Sequence, residues 1–137
     1  MRIMAIDLGD VRTGLALSDP TGTLTGEAWT VTERNRDRLA ETIVQTAGAR
    51  GAERLVLGNP RNMDGSLGPR AEKSAAFREK LEAMTALPII LWDERRTTAE
   101  ADNILMDMGR RGKKKKQVLD AVAASLILEG YLRSLHL

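Results

Sequence analysis

Cysteine is absent from this 137-residue chain, and histidine occurs once, as His136. These absences exclude disulfides, thiolate metal sites and cysteine nucleophiles, and they argue against a Ser-His-Asp triad or a histidine-ligated zinc site. No apolar run approaches the roughly 18 residues of a membrane span, and the apolar segment 3–8 is too short for a signal peptide. We therefore expect a cytoplasmic protein whose chemistry depends on carboxylates, hydroxyls, Lys, Arg or backbone groups.

Aromatic residues are also scarce, at 3% of the chain, so stacking of nucleic-acid bases on aromatic rings is poorly supported. The hydrophobic fraction of 42% and the charged fraction of 29% are ordinary for a globular protein and too apolar for a disordered one. No repeat or low-complexity linker divides the sequence. We therefore expect one domain over residues 1–137.

The formal net charge of +2 conceals an uneven distribution of charge. Six cations fall within seven residues, at Arg110, Arg111 and 113–116, and the rest of the chain has an excess of acidic residues. Such a run is by default a solvated face or a tether, but it can also mark a surface that binds a polyanion. Gly109 and Gly112 make it a candidate hinge.

The hydrophobic pattern predicts a three-layer α/β domain of about five strands. Strands are expected at 3–8, 13–18, 24–31, 54–58 and 88–92. Helices are expected around 39–47, at 69–84, at 97–109 and at 118–135. The first three strands follow one another closely, which favours an antiparallel meander, and the alternation of helices and strands afterwards favours parallel pairing.

Carboxylates occur at three places where a charge is unexpected. Asp7 lies in an apolar strand, where it needs backbone donors, an arginine or a metal. Asp120 lies on the apolar face of the last predicted helix, although Lys116 could pair with it. Asp93 and Glu94 follow the strand at 88–92, at the sheet edge where α/β proteins bind ligands. Alternation alone does not decide which of these two acids faces Asp7, and acids there would also suit the start of a helix.

Three carboxylates brought together would repel one another strongly. At a separation of ~4 Å and an effective dielectric constant of about 20, each pair costs roughly 4 kcal/mol. A cation would relieve this repulsion, and a set of oxygen ligands without His or Cys favours Mg²⁺ or Mn²⁺ over zinc. Such an ion near a polyanion suggests phosphoryl-transfer chemistry.

Four sequence blocks, in order, carry a resemblance to a known family. They are Asp7-Leu8-Gly9 with Arg12 and Gly14; 56–60 with Gly65-Ser66; 93–101, which reads DERRTTAEA; and 114–116 leading to 120–124 and 127–128. The chain resembles the YqgF (RuvX-like) proteins, described as pre-16S rRNA nucleases and as Holliday-junction-resolvase-like. The resemblance extends over nearly the whole sequence.

The resemblance implies a ribonuclease H-like fold with a five-stranded mixed sheet, the first three strands antiparallel, flanked by helices. It also implies metal-dependent hydrolysis of phosphodiester bonds by Asp7, Glu94 and Asp120, and it favours Glu94 over Asp93. Asn59 and Trp92 depart from the usual residues of the family, and both flank the expected site.

Basic and polar residues near these blocks are candidates for contacts with nucleic acid. Arg12 and Arg95 could each hold phosphate oxygens through two hydrogen bonds. The loop from Asn59 to Ser66 could offer backbone N–H groups, although an ordinary connection explains it equally well. Lys113, Lys114, Lys115 and Lys116 would contribute charge.

Precursor rRNA and branched DNA would both suit these residues. Resolution of a four-way junction calls for two active sites related by a two-fold axis, whereas the sequence favours a monomer or a weak homodimer. A nucleic-acid-binding assembly factor that does not cleave is a further alternative. ATP-dependent phosphate chemistry of the actin and sugar-kinase type is a poor alternative, because it needs two such domains.

Replacing Lys113–Lys116 with alanine should weaken nucleic-acid binding irrespective of sequence. If all six cations of the run contact a duplex, the slope of log K against log salt approaches about −5. The substitutions should make this slope shallower, which fluorescence anisotropy over a salt series can measure. An unchanged slope would show that the run serves solubility.

Overall fold

A mixed sheet forms the centre of the computed structural model, which describes residues 1–59, 68–93 and 113–136, with 113–117 described by their backbone alone. Five strands are found within these ranges: β1 (Ile3–Asp7), β2 (Arg12–Ser18), β3 (Thr25–Thr32), β4 (Arg54–Asn59) and β5 (Ile89–Asp93). Their order across the sheet is β3-β2-β1-β4-β5. β1 is therefore the central strand, and residues 3–6 are almost completely buried.

The pairing of the strands agrees with the sequence prediction. β1 pairs with β2 and β2 with β3 in antiparallel fashion, whereas β1 pairs with β4 and β4 with β5 in parallel. The turn between β2 and β3 is stabilised by the carboxylate of Asp19, which accepts hydrogen bonds from the backbone N–H groups of Thr23 and Leu24 at 2.8 and 3.0 Å. The parallel strands end together at the edge that carries Asp7.

Three helices lie in the described ranges: α1 (Arg36–Arg50), α2 (Pro69–Met84) and α3 (Lys113–Leu135). Asn35 caps α1 by accepting a hydrogen bond from the N–H of Arg38, and Gly51 ends it in the left-handed conformation at φ +73°. α2 begins at Pro69, where the missing N–H costs nothing, and its bounds are those predicted.

Alternation along the buried strands divides the core into two layers. Met4 and Ile6 of β1 face α1 and α2, in a cluster that includes Leu39, Phe77 and Leu81. Ile3 and Ala5 face the other way and pack against α3. This three-layer arrangement explains why β1 is apolar at both odd and even positions.

The last helix begins earlier than the sequence pattern predicted. The prediction placed its start at residue 118, but α3 starts at Lys113, so the four lysines are its first residues. Lysine and glutamine are good helix formers, and this propensity carries the helix upstream of its apolar face. The predicted helix at 97–109, with Gly109 and Gly112, lies outside the described residues.

None of the described helices combines the length and the apolar character needed to cross a bilayer.

We predict that Gly14→Ala will destabilise the fold, because a Cβ at this position would lie 1.8 Å from the backbone oxygen of Asp120. Overpacking of this kind typically costs about 1–3 kcal/mol. Gly48→Ala is the matched control, since its Cβ would enter open space on α1 and should stabilise the helix by up to about 1 kcal/mol. Urea denaturation measures both changes. Equal stability of Gly14→Ala and the unsubstituted protein would contradict the close contact.

Candidate active site

Asp7 is the last residue of β1 and stands at the edge where the central strands end. It continues the alternation of Ile3 and Ala5, and therefore lies on the face that α3 covers. The residue is half-buried. A carboxylate is thus placed at the sheet edge expected to bind ligands.

Gly14 connects Asp7 to the last helix. It is the cross-strand partner of Asp7 in the antiparallel pair of β1 and β2. The backbone of Asp120 also packs directly on Gly14, close enough that no side chain could intervene. Two of the three acidic residues predicted from the sequence therefore flank one glycine, although they are far apart in the chain.

Asp120 is held by an arginine of β2. Its Oδ2 accepts a hydrogen bond from Nε of Arg12 at 3.2 Å, and the two side chains are 26% and 34% exposed. Burial raises the pKa of the Asp120 carboxyl above its ordinary value, and the hydrogen bond and charge of Arg12 only partly offset this effect. The helix face prediction is confirmed, because Ala124, Ile127 and Tyr131 of the same face are buried.

Asp93, the last residue of β5, faces away from Asp7. Ile90 and Trp92 pack against the cluster on the α3 side, so Asp93 is directed to the opposite face. Trp92 also makes an edge-to-face contact with Tyr131, with ring centroids 5.6 Å apart. Its indole also packs against Gly130 of α3. This packing shows how the chain accommodates a tryptophan beside the site.

Asn59 is the last residue of β4 and the register partner of Asp93. It is 3% exposed, and its Oδ1 has no hydrogen-bond partner among the described residues. The predicted contact region that begins at Asn59 therefore starts inside the sheet rather than on an exposed loop.

Several predicted site residues fall outside what the structure describes. They are Glu94, Arg95 and Ser66, together with the side chains of Lys113, Lys114, Lys115 and Lys116. Within the described residues, no three His, Cys, Asp or Glu side chains form a group that could hold a metal ion. Asp7 and Asp120 supply carboxylate oxygens alone, which is a donor set that suits Mg²⁺ or Mn²⁺.

A basic pocket next to Asp7 was not predicted from the sequence. It has a volume of about 240 Å³ and is lined by Asp7, Gly9, Asp10, Arg36, Arg70 and Lys73, among others. The cations come from the first turns of α1 and α2, well separated in the chain, so no local motif announces them. The available signal was a basic residue at the start of each helix that follows a strand.

A family model described as RuvX, Holliday junction resolvase, matches residues 1–134. The chain belongs to the RuvX family. A relative from Lachnospira eligens, whose name describes a pre-16S rRNA nuclease, is 41% identical over 137 residues, and the match covers 98% of this chain and 98% of the relative. The resemblance found in the sequence motifs is thereby confirmed.

Solved structures of resolvases share the fold of this RuvX-family chain. RuvC of T. thermophilus in complex with a Holliday junction substrate superposes with a TM-score of 0.64 at 13% identity, covering 98% of this chain and 96% of RuvC. The fowlpox virus resolvase in complex with Holliday junction DNA gives 0.59 at 15% identity, covering 98% and 99%. The predicted ribonuclease H-like fold is thus confirmed.

We predict that Asp120→Asn will raise the free energy of unfolding at neutral pH. The folded pKa of Asp120 lies above its unfolded value of 3.8, so the native state binds this proton more tightly than the unfolded state does. The charged carboxylate therefore destabilises the fold above the folded pKa, and this cost disappears below 3.8. The advantage of the asparagine variant should accordingly shrink as the pH falls.

Thermal unfolding at several pH values tests this prediction. Asp37→Asn is the control, because Asp37 is an exposed aspartate that pairs with Lys80 at 2.7 Å and should give no such gain. A variant Asp120→Asn that is less stable than the unsubstituted protein at neutral pH would show that the Arg12 ion pair outweighs burial.

Proposed function

We propose that this protein is a metal-dependent nuclease that hydrolyses phosphodiester bonds in processing the 5′ end of pre-16S rRNA. The observation that carries the proposal is the convergence of Asp7 and Asp120 on Gly14 at the ligand-binding edge of a ribonuclease H-like sheet. Membership of the RuvX family, and the name of the Lachnospira relative, support the same activity. A role in ribosome biogenesis implies action in the cytoplasm, by a single nuclease domain over residues 1–137.

The proposed ligands of Mg²⁺ or Mn²⁺ are Asp7, Glu94 and Asp120. When bound, the ion would supply Lewis-acid activation of the attacking water and charge neutralisation at the phosphate. The half-burial of Asp7 and Asp120 supports this assignment, since carboxylates gathered away from water need a cation or hydrogen-bond donors. The raised pKa of Asp120 means that protons compete with the ion for this carboxylate as the pH falls.

Glu94 is preferred to Asp93 for the second ligand. Ile90 and Trp92 lie on the α3 side of β5 and Asp93 on the other side. The orientation of Asp93 away from Asp7 argues against Asp93 as a ligand and leaves its neighbour Glu94 as the preferred one. The family resemblance implies the same assignment.

Arg12 has two roles in the proposal. Without substrate it neutralises Asp120 through the 3.2 Å ion pair. With metal and substrate bound, Asp120 would serve as a metal ligand and the Arg12 guanidinium would bind phosphate oxygens. The remaining proposed nucleic-acid contacts are Arg95, Asn59, Ser66 and Lys113–Lys116.

Resolution of Holliday junctions is the second candidate function. The description of the family model favours it, and the two solved resolvases are bound to junctions. A junction requires paired active sites, so this candidate needs a dimer, whereas single-strand processing works for a monomer or a weak homodimer. A factor that binds rRNA without cleaving it is the remaining alternative.

We predict that Asp7→Asn and Glu94→Gln will each lower cleavage by at least about a hundredfold, because each removes a proposed metal ligand. Purified protein is incubated with Mg²⁺ or Mn²⁺ and three substrates: precursor 16S rRNA end fragments, unrelated single-stranded RNA and a synthetic four-way junction. Preferential cleavage of the precursor ends supports the proposal, and junction cleavage supports the second candidate.

Asp93→Asn is the matched control, because it removes the neighbouring carboxylate on the other face and should retain most of the activity. Undiminished cleavage by Asp7→Asn would refute the assignment of the site. Binding that persists in EDTA, with no cleavage of any substrate in either metal, would favour the factor that binds without cutting.

A further inference from the structure

The basic pocket lies on the opposite side of the sheet edge from α3. Asp7 and Gly58, at the ends of two parallel strands, form one wall. The starts of α1 and α2 form the other wall and contribute Arg36, Arg70 and Lys73. Three cations therefore surround a concave space that borders Asp7, one of the proposed metal ligands.

One exposed carboxylate occupies the mouth of this pocket. Oδ1 of Asp10 accepts hydrogen bonds from Nζ of Lys73 at 3.2 Å and from Nη2 of Arg36 at 3.3 Å. Lys73, with Arg36 and Arg70, lowers the pKa of Asp10. Asp10 is 74% exposed, so it can turn away into solvent without losing buried contacts. The pocket thus already binds an oxyanion, but one that can leave.

The pocket offers further hydrogen-bond donors besides Lys73. Nη1 of Arg36 donates to the backbone oxygen of Gly9 at 2.8 Å, which sets the position of the guanidinium. Ser74 also lines the pocket and is 3% exposed, so it brings a hydroxyl group to this wall. Gly68, at the start of α2, offers no side chain to cap the first N–H groups. Three cations and a serine hydroxyl at the start of a helix without a side-chain cap together suit a phosphate.

We infer that this pocket binds a phosphate group of the nucleic-acid substrate, which displaces Asp10 from Lys73 and Arg36. The inference rests on the proposed function. It adds a second binding site for the nucleic-acid strand. Because the pocket and α3 lie on opposite sides of Asp7, a strand held at both places would cross the proposed catalytic residue. The phosphate could be an internal phosphodiester or a terminal 5′-phosphate.

The first test compares Lys73→Ala with Lys80→Ala, which removes the same charge from the same helix at a residue that pairs with Asp37 outside the pocket. Binding of a single-stranded RNA is measured by anisotropy in EDTA, so that no cleavage intervenes. Lys73→Ala should weaken binding about threefold to tenfold and reduce the salt slope by about 0.7. Lys80→Ala should change binding by less than about twofold.

The second test is expected to strengthen RNA binding rather than weaken it. Asp10→Asn removes the carboxylate that competes with the phosphate and should strengthen binding about twofold to fivefold, whereas Asp37→Asn, the partner of Lys80, should not. General electrostatics alone would give the two aspartate variants the same effect. The inference is overturned if Lys73→Ala matches Lys80→Ala, or if Asp10→Asn matches Asp37→Asn.

Titration with inorganic phosphate, followed by the backbone amide resonances, locates the site directly. The amides of Gly9, Asp10 and Ser74 should shift in the unsubstituted protein and not in Lys73→Ala, and no shift would overturn the inference. The same RNA with a 5′-hydroxyl or a 5′-phosphate identifies the source, since only a terminal phosphate makes the Lys73→Ala effect depend on the 5′ group. These measurements do not depend on catalysis. Absence of phosphate binding in the pocket is therefore distinguishable from absence of nuclease activity.

Discussion

The contact between the backbone of α3 and Gly14 is the constraint on which the site depends. A helix normally packs on a sheet through side chains, but here the carbonyl of Asp120 sits where a Cβ of β2 would be. The same glycine pairs with Asp7 across the strands. The distance between the two acids is therefore set by main-chain packing, which is stiffer than packing through side chains. Stiffness of this kind is useful where ligands must be held in a narrow range of positions.

The C-terminal half of α3 stabilises the fold, whereas its first turn destabilises it. Its C-terminal half buries Ala124, Ile127, Leu128, Tyr131 and Leu132 against the sheet. Its first turn consists of lysines without an acidic residue, which is unfavourable next to the positive end of the helix dipole. Asp120 lies between these parts, and its burial is also unfavourable. The apolar half of the helix thus offsets the cost of placing charges where the proposed chemistry needs them.

Most of the fold was predictable because it depends on local patterns. The apolar run at β1, the turn residues after β2, Gly51 after α1 and Pro69 at the start of α2 each act through neighbours in the sequence. The predicted start of α3 was wrong because the prediction followed the apolar face of the helix. The helix propensity of lysine extends α3 upstream of that face.

Only part of the site was predictable from the sequence. Asp7 and Asp120 stood out because a charge in an apolar pattern is conspicuous without any structure. The sequence offered Lys116, one helical turn away, as a possible partner of Asp120, whereas the structure shows an ion pair with Arg12, which the packing of α3 on β2 brings there. The basic pocket escaped prediction for the same reason, since Arg36 and Lys73 meet only through the packing of α1 and α2 on the sheet.

The topology also affects when activity appears during synthesis. The antiparallel strands β1 and β2 are close in sequence and can pair early, whereas α3 must return to the central strand from the far end of the chain. Domains form on the ribosome from the N-terminus onward, so Asp120 is among the last site residues to leave it. A nascent chain therefore holds Asp7 in place without its partner carboxylate. The proposed nuclease would in this way acquire its full set of carboxylates only once α3 has docked on the sheet.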